Sequence, residues 1–110
     1  MRKKVFFDEE IYSKIAINDL IIFAMYSIRK KEKECSFEDL VSECFKLFPE
    51  TFVLSKYPKW PDSRKLDRPL RCLRKKNLIK GGPRTCFSLA QKGKKRSLEI
   101  VKSFRQIKLL

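Results

Sequence analysis

The chain has 110 residues, about the length of one domain, so it has room for a single hydrophobic core and none for a separate catalytic domain. Hydrophobic residues make up 43% of it and glycine occurs only 3 times, which is typical of a packed globular protein and excludes a disordered one. Histidine is absent, which excludes Ser–His and Cys–His catalysis and His-ligated metal sites. The 27 Lys+Arg against 13 Asp+Glu give a net charge of +14 at pH 7, which indicates a polyanionic partner.

The excess of positive charge lies entirely in the last 47 residues of the chain. Residues 1–63 carry 11 basic and 11 acidic side chains, whereas residues 64–110 carry 16 and 2. A neutral half joined to a strongly basic half is typical of a scaffold that carries an electrostatic binding surface. A solvated lysine-rich face is the simpler alternative, which repulsion between crowded like charges disfavours.

No membrane-spanning or secretory segment is expected. The longest apolar stretch, residues 20–25, is far too short to cross a bilayer, and acidic residues soon follow the first apolar ones. The four cysteines, at positions 35, 44, 72 and 86, form no CxxC pair. We therefore expect reduced thiols, no metal site and no cofactor.

The start of the chain predicts a buried helix with an uncertain segment before it. Asn18 or Asp19 is suited to cap a helix that is apolar on nearly every side and ends in the basic residues 29–31. The preceding residues 8–16 fit either a short helix or an extended segment.

A second, amphipathic helix is predicted to begin after Ser36, which with Asp39 is close to a capping box, and to stop at Pro49. The connection between Pro49 and Pro61 is rich in aromatic residues. Its rings must be buried if the connection is to be ordered, so we expect them to form a satellite core against the helices. A functional role for the connection is the alternative. Its large apolar residues are Phe52, Leu54, Tyr57 and Trp60.

Residues 61–63 predict the start of a third, basic helix. Leucines at positions 66, 70 and 73 fall on one side of it, and cations come together on the opposite side. Pro69 leaves two possibilities open: either the helix kinks there, or its regular part begins near Asp67 and Pro69 lies in the first turn. The cations that line the outer side are Arg64, Arg68, Arg71 and Lys75.

Residues 78–80 and 85–89 predict a short β-hairpin whose tip is glycine-rich and flanked by Lys80 and Arg84. Residues 90–104 return to helical spacing and carry several lysines. This closing helix has more apolar surface than a terminal helix needs for packing on its own domain, so we expect the protein to form a homodimer through it. The apolar residues in question are Leu98, Val101, Phe104, Ile107, Leu109 and Leu110.

Two motifs in this region resemble the winged helix-turn-helix family. Residues 70–79, LRCLRKKNLI, are similar to its L-x-x-L-x-x-x-G-L-I pattern, and residues 87–93, FSLAQKG, are similar to its Y-x-L-T-x-x-G strand-to-helix junction. The resemblance covers residues 18–102. Asn77 replaces the usual glycine, although asparagine also tolerates a left-handed cap, and Ala90 replaces the usual threonine cap.

The resemblance implies a mainly α fold with a small β-hairpin, namely a winged helix-turn-helix with a three-helix core, a wing and a C-terminal helix. The expected organisation is a single winged-helix domain over residues 1–110. Within it, residues 18–102 form the core, residues 1–17 an N-terminal segment and residues 90–110 the basic C-terminal helix.

The resemblance also implies binding to double-stranded DNA, with the third helix in the major groove and the hairpin tip on the adjacent backbone or minor groove. A major groove about 12 Å wide admits one α-helix, which agrees with a helix that has leucines behind and cations in front. We expect a regulator of transcription or of a mobile element, in the cytoplasm at the nucleoid.

The expected DNA contacts divide by position along the helix. Base edges are expected at its N-terminal end, and phosphates toward its C-terminal end and at the hairpin. The residues expected to contact DNA are Ser63, Arg64, Lys65, Arg68, Arg71, Arg74, Lys75, Lys80 and Arg84.

Three other classes of function were weighed. A winged-helix protein–protein adaptor in a larger nucleoprotein complex is the main alternative, and it requires an apolar patch on the third helix. RNA binding requires exposed aromatic residues beside cations on a strand surface, for which Phe87 in the hairpin is the one candidate, and we expect Phe87 to lie in the core. Catalysis is disfavoured because the sequence has no carboxylate cluster with metal-ligand spacing.

Overall fold

A computed structural model describes residues 16–82 and 84–109, with side chains up to Phe104. The described chain is mainly helical with a small three-stranded antiparallel sheet, which confirms the coarse fold class. The predicted segment of residues 8–16 lies outside the described residues except for Ala16. In chain order the elements are helix α1 (Ile17–Lys30), strand β1 (Cys35–Ser36), helix α2 (Phe37–Leu47), a 3-10 helix (Ser63–Leu66), helix α3 (Asp67–Lys75), strand β2 (Ile79–Lys80), strand β3 (Cys86–Leu89) and helix α4 (Gln91–Leu109).

Helix α1 is the central helix of the core and packs against α2, α3, α4 and β3. The prediction that Asn18 or Asp19 caps it is wrong, because the cap residue is Ala16, which makes no side-chain cap bond. Asp19 lies instead in the first turn, where a carboxylate favours the positive end of the helix dipole. There it accepts two hydrogen bonds from Arg96 of α4, at 3.1 and 2.6 Å, so its carboxylate joins α1 to α4. The buried side chains of α1 are Leu20, Ile21, Ile22, Ala24, Met25 and Ile28.

Helix α2 begins as its sequence predicts. The Ser36 hydroxyl accepts a hydrogen bond from the Asp39 backbone N–H at 3.1 Å and donates one to the Asp39 carboxylate at 2.9 Å. The helix ends at Leu47, and its cap residue Phe48 stands directly before Pro49. A serine cap of this kind stabilises a helix by about 1 kcal/mol.

Glu43 is a buried carboxylate between α1 and α2 that the sequence pattern did not reveal. It is 6% exposed, accepts a hydrogen bond from the Ser27 hydroxyl at 2.6 Å, and pairs with the Lys31 ammonium, which donates to both carboxylate oxygens at 3.1 Å. Burying an unpaired charge costs several kcal/mol, so these partners are a condition for this packing.

The sheet has the strand order β1, β3, β2. The hairpin prediction is confirmed by β2 and β3, which pair Ile79 with Leu89. Strand β1 was not predicted, and it pairs Cys35 with Phe87 on the other edge of β3. Two residues directly before a helix are too few to show the alternation of apolar and polar residues by which a strand is recognised.

Aromatic rings from distant parts of the chain meet in the core. The ring of Phe104 lies 4.9 Å from that of Phe23 and 6.2 Å from that of Phe48, measured between centroids. Phe104 is only 5% exposed, so it belongs to the core. The prediction that it forms part of a dimer surface is wrong. Leu98 is exposed, while the side chains of Ile107, Leu109 and Leu110 lie outside the described ones. Self-association through α4 stays a prediction.

The prediction that the rings of the connection form a satellite core is wrong for two of them. Phe52 is buried in the main core, but Tyr57 and Trp60 are exposed. Backbone hydrogen bonds order the connection without burial of these rings, among them Asp62 N–H to Phe52 O at 2.8 Å and Leu54 N–H to Trp60 O at 3.0 Å. Side-chain packing is therefore not the only source of order in this segment.

Pro69 does not kink α3, because the second of the two predicted possibilities holds. The regular helix α3 begins at Asp67, so Pro69 lies in its first turn, where no backbone hydrogen bond is lost. The helix ends at Lys75, and Asn77, two residues beyond it, has a φ of 62°, which is the left-handed conformation expected from the sequence. The Leu78 N–H then bonds Leu73 O and the Asn77 N–H bonds Arg74 O, both at 3.0 Å, which satisfies two carbonyls at the helix end.

The glycine at the strand-to-helix junction, Gly93, is required by close packing. A Cβ atom at this position would lie 2.0 Å from the carbonyl oxygen of Leu78, which also accepts the Ala90 N–H at 2.9 Å. The first turn of α4 therefore packs directly on the backbone that leads from α3 into β2. Only a residue without a side chain fits there.

We expect Gly93→Ala to destabilise the protein, although alanine favours a helix over glycine by about 1 kcal/mol. The collision with a backbone oxygen outweighs this gain, since overpacking costs about 1–3 kcal/mol or more. Urea unfolding measures the difference. Gly82→Ala is the matched control, because a Cβ there would meet only Arg74 Nη1 at 3.9 Å. Equal stability of the two variants would contradict the close approach.

Candidate nucleic-acid interface

The two sides of α3 differ sharply in burial. Leu66, Leu70 and Leu73 are buried at 5% exposure or less, as their spacing predicts. The cations of α3 are exposed, and none of them forms an ion pair or side-chain hydrogen bond with a residue that the structure describes. We call these residues the basic face of α3: Arg68, Arg71, Arg74 and Lys75.

The residues expected to contact bases at the start of the helix are arranged differently from the basic face. Ser63, Arg64 and Lys65 lie in the 3-10 helix that precedes α3, and Ser63 and Arg64 are exposed. The Lys65 ammonium donates a hydrogen bond to Thr51 O at 3.0 Å. This bond holds Lys65 against the connection.

Arg64 is paired with Asp62, which caps the 3-10 helix. The Asp62 carboxylate accepts bonds from Arg64 Nε at 3.0 Å, from Nη2 at 3.2 Å and from the Arg64 backbone N–H at 3.1 Å. The side-chain hydrogen bond from Arg64 lowers the pKa of Asp62, and the same pairing raises the pKa of Arg64. Arg64 therefore carries a partly neutralised charge, unlike the basic face of α3.

The hairpin loop lies beside the C-terminal end of α3. Gly81 has a φ of 95°, and a Cβ there would lie 2.0 Å from Cys86 O, so the turn requires glycine. The turn is closed by the Thr85 N–H, which donates to Gly82 O at 3.1 Å. Because the Arg74 guanidinium comes within 3.9 Å of a Cβ built on Gly82, α3 and the hairpin form one surface. Arg84 is exposed at the tip.

A small groove of about 190 Å³ joins α3 to the sheet and the start of α2. Leu70, Phe37 and Phe87 line it together with Asp67, and Arg71 and Arg74 complete its lining. Asp67 is an acidic residue on α3 and lies in the first turn, where its charge suits the helix dipole. The groove thus combines an apolar lining with cations.

Lys80 lines a different groove, of about 510 Å³, between the end of α1, the sheet and the start of α4. Its other basic residues are Arg29, Lys33 and Lys94, and Glu34 also lines it. The structure therefore brings Lys80 together with cations from two other segments of the chain, residues 29–33 and Lys94. No local sequence signal could have grouped them.

Three of the four thiols, those of Cys35, Cys44 and Cys86, have a raised pKa. Burial raises the pKa of Cys35 to about 12 and that of Cys44 well above its ordinary value. Desolvation and the neighbouring Glu34 carboxylate raise the pKa of Cys86, whose Sγ lies 3.7 Å from Glu34 Oε1. A raised pKa disfavours the thiolate, which is the nucleophile and metal ligand.

Within residues 16–82 and 84–109, no group of three or more potential metal ligands comes together. In the same part of the chain, no helix has the length and apolar character needed to cross a bilayer. Comparison with models of known protein families, with curated proteins and with solved structures finds no match to this chain.

The Asp62–Arg64 pair predicts a specific pH dependence of stability. Because the folded pKa of Asp62 is lower than its ordinary value of 3.8, its charged form stabilises the fold above that pH, and this contribution is lost as the pH falls through the folded pKa. We expect the stability difference between the parent and Asp62→Asn to be constant near neutrality and to shrink below pH 3.8. Unfolding measured from pH 7 to pH 2 tests this.

Arg64→Gln is the control for the same pair. If the pairing is the cause, the double variant is more stable than the sum of the two single losses predicts, because each single change already removes the same interaction and the sum counts its loss twice. A stability difference that does not change with pH would contradict the role of the Asp62 charge.

Proposed function

We propose that the chain is a winged helix-turn-helix domain that binds double-stranded DNA through the basic face of α3 and the β2–β3 hairpin. In this proposal α3 enters the major groove and the hairpin tip with Arg84 meets the adjacent backbone or minor groove. The biological role that fits best is regulation of transcription or of a mobile element, in the cytoplasm at the nucleoid.

The order of elements supports the fold part of this proposal. A basic helix followed directly by an antiparallel hairpin, with further helices before and after, matches the arrangement of the family that the sequence resembles. The left-handed Asn77 and the close packing at Gly93 give physical reasons for two positions of the similar motifs. Strand β1, between α1 and α2, gives the hairpin a third strand.

The observation that carries the DNA-binding proposal is the uncompensated charge of Arg68, Arg71 and Arg74. Elsewhere in the described chain, some of the carboxylates form ion pairs: Asp19 and Glu99 with Arg96, Glu43 with Lys31 and Asp62 with Arg64. The basic face receives no such partner from the described residues. Three guanidiniums on one short helix repel one another, and a polyanion relieves that repulsion.

The adaptor alternative requires an apolar patch on α3. The exposed positions between its first and last residue are instead Asp67, Arg68, Arg71, Arg74 and Lys75. Protein–protein interfaces are depleted of charge at their centre, so this surface suits phosphates better than a protein partner.

Charge reversal of the basic face tests the proposal. We expect Arg68→Glu, Arg71→Glu and Arg74→Glu, combined in one variant, to abolish retention on duplex DNA without unfolding the protein, because all three side chains are exposed. The parent's log K should fall with log salt concentration by about 0.9 per phosphate contacted. Fluorescence anisotropy of a labelled duplex measures this slope. The salt concentration is varied from about 50 to about 200 mM, the range over which protein–DNA affinity falls steeply.

The matched control is a second triple variant with the same change in net charge. It carries Lys30→Glu, Lys95→Glu and Lys102→Glu, three exposed lysines on α1 and α4. We expect it to weaken binding far less than the α3 variant, since only the general field is reduced. If both variants lose affinity equally, binding depends on the overall charge of the chain and not on α3 in particular. The assignment of the interface is then wrong.

A further inference from the structure

The connection between α2 and the 3-10 helix carries two large aromatic side chains in solvent. Tyr57 is 59% exposed and Trp60 is 61% exposed. Their rings stack on each other with centroids 5.9 Å apart and planes inclined by 29°. We call residues 53–61 the aromatic loop; its ends are joined by an antiparallel bridge between Val53 and Pro61. Stacking the two rings on each other leaves their outer faces in water.

The aromatic loop is held in shape by its own backbone. The Trp60 N–H donates to Tyr57 O and the Leu54 N–H donates to Trp60 O, both at 3.0 Å. Phe52, directly before the loop, is 1% exposed, and its ring lies 6.4 Å from that of Phe48 in the core. The two exposed rings therefore project from an anchored base. A ligand that binds them has little loop entropy to remove.

The charges of the loop indicate the chemistry of its partner. Lys56 and Lys59 flank the rings and are exposed, and residues 51–61 contain no Asp or Glu. An uncovered aromatic pair would by itself suit an apolar pocket on another protein. Cations that alternate with the rings suit a ligand with repeated anionic groups and flat faces, which is an unpaired nucleotide strand.

We propose that the aromatic loop binds unpaired nucleotides, with a base stacked on the outer face of Trp60 or Tyr57 and phosphates bound by Lys56 and Lys59. The stacking itself does not depend on the proposed duplex binding, but the preference for a tailed duplex rests on it, because the aromatic loop directly precedes the 3-10 helix and α3 in the chain and would meet the unpaired tail of a duplex bound by α3. The preferred substrate is then a duplex with an unpaired end or segment.

Trp60 also provides the measurement, because it is the one tryptophan of the 110-residue chain. A base that stacks on its indole quenches its fluorescence directly. We would titrate the full chain with three oligonucleotides of the same sequence: a blunt duplex, the duplex with a single-stranded tail, and the single strand. We expect quenching by the tailed duplex and the single strand, and little by the blunt duplex.

Binding of labelled oligonucleotides by three variants separates stacking from charge. Trp60→Ala should lower the affinity for the tailed duplex by about tenfold, as expected for the loss of one stacked base. Its affinity for the blunt duplex should hardly change. Trp60→Phe keeps a ring and should retain most of the preference for the tail. Lys56→Gln with Lys59→Gln should lower the salt slope for the single strand by about 1.4, since each single-strand phosphate contributes about 0.7.

Ser103→Ala is the control for truncation of an exposed, uncharged side chain, because Ser103 is exposed on α4 and belongs to neither proposed interface. It should leave both affinities unchanged. Circular dichroism checks that all variants fold, as expected for exposed positions.

The outcomes separate this site from the proposed function. Quenching by the single strand without any binding of the blunt duplex supports the aromatic loop and rejects duplex binding by α3. Tight binding of the blunt duplex with Trp60 emission unchanged by a saturating tailed duplex overturns the aromatic loop and leaves the α3 proposal standing. An equal preference for the tail in the parent and in Trp60→Ala also overturns it, as does emission that no oligonucleotide changes, which is the result expected if the rings bind another protein.

Discussion

Burial of the leucine side of α3 determines where its arginines point. Each of Leu66, Leu70 and Leu73 is removed from water almost completely, and burial of one such side chain stabilises a fold by about 1.5–3 kcal/mol. Turning the helix over would expose these leucines and bury several cations, each at a cost of several kcal/mol. The orientation of the basic face is therefore a consequence of core packing, and binding need not organise it.

The ion pairs of the scaffold explain why this charge stays uncompensated. Asp19 with Arg96 joins α1 to α4, and Glu43 with Lys31 joins α2 to the end of α1. Both carboxylates are held by contacts between helices, and neither is available to α3. Asp62 pairs with Arg64 instead, at the junction between the connection and the 3-10 helix. Local pairing thus neutralises the charge at the start of the helix, while the following turns keep theirs.

The sequence predicted the features that depend on local patterns. The cap at Ser36, the left-handed Asn77, the hairpin and the buried leucines each follow from a residue type at a fixed spacing, and the structure contains all four. Features that depend on contacts between distant segments were missed. Strand β1 exists only because β3 comes to lie beside it, and the partners of Glu43 come from another helix.

The candidate site divides in the same way. The outward position of Arg68 and Arg71 follows from helical periodicity, which needs no knowledge of the rest of the fold. Helical periodicity does not reveal the pairing of Arg64, although Asp62 stands two residues before it, because the pair forms in a 3-10 turn ahead of the regular helix. A 3-10 helix at residues 63–66 changes the direction of the Arg64 side chain relative to α3 and brings it to the carboxylate that caps the turn.

The exposed rings of the aromatic loop show why a composition argument fails for a short ordered connection. Aromatic residues are expected inside a small protein because their burial is the main source of order in segments without regular structure. Here the bridge from Val53 to Pro61 and the backbone bonds between Tyr57, Leu54 and Trp60 order the segment, so its rings are free to remain in solvent. Because the segment is ordered without burial of its rings, folding does not explain why the rings are there, and binding of a ligand does. The lysines beside the rings favour a nucleotide strand as that ligand.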